Sequence, residues 1–203
     1  LEWTKYILEQ CRDLEVPVIL GVSEGAAKYM GGYNVVSAMV KELVKSLNVT
    51  TPVCIHLDHG TSFESCKKAI DAGYTSVMID ASMLPFEDNI TITKNVVDYA
   101  HEKGVFVEAE LGSLAGIEDN IVVEDKNSCF TDPSQAKEFV ERTGVDSLAI
   151  AIGTSHGTVK FKGEAKLRFD ILAEVEKLLP NFPIVLHGAS SIPQDMVVLA
   201  EEY

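Results

Sequence analysis

Apolar positions recur along this chain with two alternating periods. Over residues 1–15, Leu1, Tyr6, Ile7, Leu8, Cys11 and Leu14 fall at helical spacing and predict an amphipathic helix. Val16-Pro17-Val18-Ile19-Leu20-Gly21-Val22-Ser23 follows as a short, almost wholly apolar run, the pattern of a strand buried on both faces. A glycine-rich connection (Gly25, Gly31, Gly32) leads to a predicted helix over 34–47 and a strand over 52–58. Thr61-Ser62-Phe63-Glu64 reads as a capping box for a helix ending near Gly73. The pattern then gives a strand at Ser76–Asp80, a helix from Asp88 to Gly104 and a strand at Val105–Glu110. After a long loop, 113–131, come a helix at 133–143, a strand at 147–152, a helix at 169–179, a strand at 183–187 and the start of a last helix.

Helices separate strands that hairpins would otherwise join, which is the signature of repeated βαβ units and a parallel sheet. Six strands are predicted, at 16–23, 52–58, 76–81, 105–111, 147–153 and 183–188. A doubly wound sheet could hold six, but its sites gather at one switch point between two strands. Here the chemistry-bearing residues lie at the C-terminal ends of at least four strands, which fits an α/β fold of the (β/α)8 or TIM-barrel type. Such barrels run to around 250 residues, so the chain reads as a fragment of about six βα units with the first and last strands missing. It begins with Leu1 and ends inside a helical pattern, as the middle of a longer protein would. Residues 1–203 are read as one partial barrel domain. Loop 113–131 carries Glu118, Asp119, Glu124 and Asp125 and is a candidate lid.

Composition narrows the partners. With 46% apolar and 24% charged residues the chain suits a soluble globular domain. A net charge of −14 argues against nucleic acid and anionic membranes. An anionic substrate would then need local positive charge, which a metal ion and a lysine supply. Cys11, Cys54, Cys66 and Cys129 are dispersed, without a CxxC pair, as structural thiols of a reducing compartment are. There is neither a signal peptide nor an apolar run long enough for a membrane span, so the expectation is cytoplasmic.

Three apolar strands each deliver a histidine followed directly by glycine: Ile55-His56-Leu57-Asp58-His59-Gly60, Thr154-Ser155-His156-Gly157 and Leu186-His187-Gly188. Three protein ligands are what a catalytic zinc keeps while leaving a position open for substrate, so His59, His156 and His187 are the candidate metal ligands. His101 lies among polar residues near a helix end and reads as a surface residue. His56, inside its strand, reads as a hydrogen-bonded core histidine or a site residue. Asp58 is either a carboxylate that orients a histidine or a general acid/base beside the metal. Glu108 and Glu110 share one face of a buried strand, where carboxylates are costly unless paired or metal-bound. Glu110, nearer the strand's end, is the stronger site candidate, whereas Glu118 and Asp119 read equally as solvated loop charge. The amides of Gly157 and Gly188 could cradle a phosphate, aided by the Ser190 hydroxyl and the Lys160 cation.

These segments, with Val107-Glu108-Ala109-Glu110-Leu111-Gly112, Leu186-His187-Gly188-Ala189-Ser190-Ser191, Ser23-Glu24-Gly25-Ala26 and Lys28-Tyr29-Met30-Gly31-Gly32-Tyr33, resemble class II, metal-dependent fructose-bisphosphate aldolases of the bacterial branch. The resemblance runs in order through essentially all 203 residues. It implies a lyase (an aldehyde-lyase) of glycolysis and gluconeogenesis. That enzyme reversibly cleaves fructose 1,6-bisphosphate to dihydroxyacetone phosphate and glyceraldehyde 3-phosphate through a zinc-stabilised enediolate. It further implies that His59, His156 and His187 ligate Zn2+, that Asp58 is the acid/base at the C4 hydroxyl, and that Glu110 is an alternative metal-site carboxylate. Glu118 would move the C1 proton, Gly157, Lys160, Gly188 and Ser190 would hold phosphate, and Ser23 would bind a hydroxyl. A monovalent cation (Na+ or K+) near the phosphate and a homodimer or homotetramer are implied as well.

Two departures stand out: the family's first strand is absent before Leu1, and so is its eighth, which carries an Asn-x-Asp segment. Tagatose-bisphosphate aldolase uses nearly the same apparatus on a substrate differing at one stereocentre. A metal-dependent barrel hydrolase would not need the long phosphate-cradling loops. A non-catalytic reading makes the chain a barrel fragment that only binds metal.

Overall fold

A computed structural model describes residues 2–112, 115–118, 121–123, 130–156 and 167–202, with the backbone alone at 115–118, 121–123, 155–156 and 191. The chain divides into two units, Leu1–Ile79 with Asn95–Val107, and Asp80–Lys94 with Glu108–Tyr203.

The first unit runs α1 (Glu2–Leu14), β1 (Val18–Ser23), α2 (Glu24–Tyr29), α3 (Tyr33–Ser46), β2 (Val53–Gly60), α4 (Phe63–Asp71) and β3 (Ser76–Ile79). To these it adds the last turns of α5 (Phe86–His101) and the first residues of β4 (Phe106–Leu111). β2 lies between β1 and β3 and is parallel to both, with Val18 opposite Val53 and Ser23 opposite Asp58. Leu20, Val22, Ile55, Leu57, Val77 and Met78 are all buried. β2 and β3 are thus buried on both faces, each such side chain contributing about 1.5–3 kcal/mol. β1 instead buries only the face of Leu20 and Val22 and leaves Ile19 exposed, contrary to the expectation from its apolar run.

Two local features differ from the sequence expectation. The glycine-rich stretch after β1 contains α2, started by Ser23, whose Oγ accepts the Ala26 N–H at 3.2 Å. The cap of α4 is Ser62, which accepts the Ser65 N–H. Thr61 instead donates both its N–H and its hydroxyl to Glu24 Oε1, at 2.8 and 3.0 Å. A side chain from another element thus took the residue that local pattern assigned to the cap.

In the second unit β4 pairs in parallel with β7 (Ser147–Ile150), and β7 with β9 (Ile184–Val185). The connecting segments carry α6 (Pro133–Thr143), α7 (Phe169–Leu178), a 3-10 turn (Ala189–Ser191) and α8 (Gln194–Ala200). α6 is framed as its sequence suggests, with Asp132 capping its first amides and Gly144 closing it at φ 73°. The long loop has structure of its own. β5 (Ala115–Glu118) pairs antiparallel with β6 (Ile121–Val123) and parallel with β8 (Ser155–His156).

β1, β2, β3 and β9 are followed by helix, and β4 and β7 reach theirs after β5 with β6 and after β8, giving six βα units in series. Among the described residues no helix is long and apolar enough to cross a membrane.

Candidate metal centre

The end of β2 is irregular where the candidate chemistry lies. Leu57 pairs with Val77 and Gly60 with Ile79, so β2 spends three steps where β3 spends two. That is a β-bulge, and His59 accommodates it in the left-handed region at φ 49°. A regular strand sends neighbours to opposite faces. Here the bulge brings ligand atoms of Asp58 and His59 within 4.8 Å of one another. Gly60 then packs so tightly that a Cβ would stand 2.7 Å from the Met78 carbonyl oxygen and 2.9 Å from Cys66 Sγ. His59 is buried, while Asp58 is half-buried with Ser23 opposite it in register. Ser23 is therefore beside Asp58, although its hydroxyl oxygen also caps α2. His56 is buried and its Nδ1 is hydrogen-bonded to Ser76 Oγ at 2.8 Å, which fits the core-histidine reading. His101 is exposed at the end of α5.

The second unit carries a carboxylate-rich set. Glu108 and Glu110 point from one face of β4, and both are buried. Glu108 Oε1 lies 2.8 Å from His187 Nε2, just past β9. Glu110 offers a ligand oxygen within 4.8 Å of one from Asp80. Asp80 also accepts the N–H and hydroxyl of Ser82. Asp80 joins the site residues named from the sequence, and its position alone marks it. It follows Val77-Met78-Ile79 as Asp58 follows the apolar run of β2.

Gly188, at φ 72°, opens the 3-10 turn that carries Ser190, which is exposed. The backbone of His156 is in β8, with Gly116 of β5 opposite it, and Glu118 ends β5. The His156 and Glu118 side chains, like Gly157, Lys160 and Asp119 entirely, lie outside the described residues.

Imidazole nitrogens with carboxylate oxygens form a donor set suited to a divalent transition ion. Burial of Glu110 at 2% exposure is also what a metal-facing carboxylate needs, since a buried charge must be compensated. The residues present therefore fit a metal.

The profile of the family described as "Fructose-bisphosphate aldolase class-II" matches residues 1–203. The chain is 55% identical over 199 residues to a protein of Geobacillus stearothermophilus named "Fructose-bisphosphate aldolase", covering 97% of this chain and 67% of that one. To a protein of the same name from Staphylococcus epidermidis (strain ATCC 12228) it is 52% identical, over 100% of this chain and 69% of the relative. The chain thus spans about two thirds of the length of these curated relatives. Among solved structures it resembles the YdjI aldolase of Escherichia coli K12, with a TM-score of 0.81 and 36% identity over 98% of this chain and 67% of that one. The fructose-bisphosphate aldolase of Campylobacter jejuni gives a TM-score of 0.78 at 22% identity, over 98% of this chain and 65% of that one, a likeness of fold alone. The fold is thus a (β/α) barrel fragment.

Proposed function

The chain belongs to the class II fructose-bisphosphate aldolase family, and on that premise we propose that it catalyses the reversible cleavage of fructose 1,6-bisphosphate to dihydroxyacetone phosphate and glyceraldehyde 3-phosphate. In this reading residues 1–203 are one partial barrel domain of a cytoplasmic homo-oligomer acting in glycolysis.

His59, His156 and His187 are the residues that would hold a zinc ion, with Glu110 as an alternative ligand. A divalent cation bound there acts as a Lewis acid toward negative charge developing on the substrate's carbonyl oxygen. Glu108 holds the His187 ring through the bond at Nε2 and fixes which nitrogen is free to ligate.

The proton chemistry falls to the carboxylates. Asp58 accepts the C4 hydroxyl proton as the C3–C4 bond breaks and returns it in the synthetic direction. Ser23, opposite Asp58 on β1, steadies a substrate hydroxyl. Glu118 moves the proton at C1. Gly157, Lys160, Gly188 and Ser190 would hold phosphate, with a monovalent cation as a further counter-charge to it. Binding of this unreactive group positions the reacting carbons.

The observation that most supports this reading is the bulge at the end of β2, which turns a carboxylate and an imidazole adjacent in sequence toward one side. The test is to assay the full-length protein with fructose 1,6-bisphosphate and with its C4 epimer, tagatose 1,6-bisphosphate. Faster release of triose phosphates from the fructose compound supports the assignment. A preference for the epimer replaces the substrate while keeping the chemistry, and inertness toward both overturns the reading.

A further inference from the structure

β4 and β7 are paired through Leu111 and Ile150. One residue further on, Thr131 enters between them. Its hydroxyl donates to the Leu111 carbonyl and accepts the Ala151 N–H at 2.8 Å, while its own N–H donates to the Ala151 carbonyl at 3.0 Å. Thr131 is 3% exposed, so no water substitutes for these bonds. The strands part around this single side chain. Beyond it the chain runs from Ala151 into β8, where Ser155 and His156 face Ala115 and Gly116 of β5.

The preceding carbonyl of β4, that of Glu110, is also held by a side chain. Asn89 Nδ2 donates to it at 3.0 Å, and Asn89 Oδ1 accepts the Thr93 hydroxyl at 3.1 Å. Asn89 and Thr93 are fully buried. Two consecutive carbonyls at the end of β4 are therefore fixed by buried polar side chains, at the residue whose carboxylate faces Asp80.

We infer that Thr131 is a positioning residue for the metal centre: its hydroxyl sets where β4 and β7 part, and with it the separation between the Glu110 carboxylate and the strand that carries His156. The inference rests on the metal reading proposed above. It also gives the two functions of the threonine side chain different weights. The hydroxyl, which both donates and accepts, spans the gap, and the methyl only fills space.

The test compares Thr131→Val, which keeps the shape and loses the hydroxyl, with Thr131→Ser, which keeps the hydroxyl. In the full-length protein, zinc affinity of the metal-free form is measured by competition with a chromogenic chelator, beside kcat, KM and the melting temperature. Thr131→Val is expected to weaken zinc binding about 10–100-fold, as loss of a group supporting a ligand does, and to lower kcat with KM little changed. Thr131→Ser is expected to restore both. If Thr131→Val does not fold, Thr131→Ala carries the same comparison.

A hydroxyl-free variant that binds zinc as tightly as wild type, whatever its melting temperature, overturns the inference and leaves Thr131 a core bond only. A serine variant as impaired as the valine variant overturns it too. Absence of zinc binding in the wild-type protein is distinguishable from both, because it removes the metal reading and this inference with it.

Discussion

Asp58 and His59 are consecutive residues, yet their ligand atoms lie within 4.8 Å of one another. The extra residue in β2 and the left-handed backbone at His59 account for this, and Gly60 makes it possible. Gly60→Ala places a methyl group 2.7 Å from the Met78 carbonyl oxygen, which belongs to the backbone of β3 and has little freedom to withdraw. Overpacking of this kind costs about 1–3 kcal/mol. The variant is expected to unfold at lower urea concentration and to bind divalent metal less tightly. Unchanged values for both would mean that the bulge adapts freely.

Replacing Asp58 by Ala is expected to leave metal bound while turnover falls by about 10²–10⁴, the usual value of general acid–base catalysis. The measurement is kcat at saturating zinc. Recovery to near wild-type turnover under those conditions would make Asp58 a supporting residue for the metal, because excess metal repairs a loss of affinity and not a missing proton acceptor.

Glu108 and His187 share a hydrogen bond at 2.8 Å and are both largely buried, at 11% and 15% side-chain exposure. Glu108→Ala is expected to reduce metal affinity about 10–100-fold. Glu108→Gln, which keeps an oxygen for the ring, should lose less. Metal content after dialysis against graded chelator reads the difference, and equal retention in both variants and wild type would remove the orienting role.

Burial pushes the Cys66 thiol up to about 12, with the negative charge of Glu24 adding to the effect. The unfolded thiol ionises near ~8.5. Above that pH the unfolded chain sheds a proton that the folded chain keeps, so this group's contribution to stability is lost as pH rises from about 8.5 toward 12. The greatest slope is about 1.4 kcal/mol per pH unit for one group. Cys66→Ala is expected to flatten the alkaline limb of the stability curve measured by urea unfolding. It will not level it entirely, because burial also raises Cys54 and Tyr74. An identical alkaline limb in the variant would contradict the assignment.

Much of the fold was legible because its strands are runs of apolar residues, buried on both faces in β2, β3, β4 and β7 and on one face in β1, where Ile19 is exposed. Val18–Val22, Val53–Leu57 and Val77–Ile79 leave an apolar signal that no exposed loop imitates. The strand-end residues were legible for the same reason, since a polar side chain directly after such a run has one place to go. The misses have local causes. α2 is six residues long and contains Gly25, so it has no helical period to detect and depends on the Ser23 cap. Thr61 was drawn from the cap by Glu24, 37 positions away in sequence. β5 and β6 are only four and three residues long and pair with each other, β5 also with β8, in a sheet separate from the main strands. The bulge has no composition of its own, as it consists in the register of β2 against β3, from which the positive φ of His59 follows. Thr131 looked like one loop residue among many because its role consists wholly of contacts with Leu111 and Ala151.

The central claim is that bond cleavage depends on a divalent metal and not on a lysine adduct. Its most direct test is to strip the full-length protein with a chelator, measure cleavage of fructose 1,6-bisphosphate, add zinc back, and in parallel treat protein and substrate with borohydride. The account predicts that cleavage disappears with the metal, returns with zinc, and that borohydride leaves no covalent adduct. Cleavage that survives metal removal, or a substrate carbon trapped on a lysine, would contradict it.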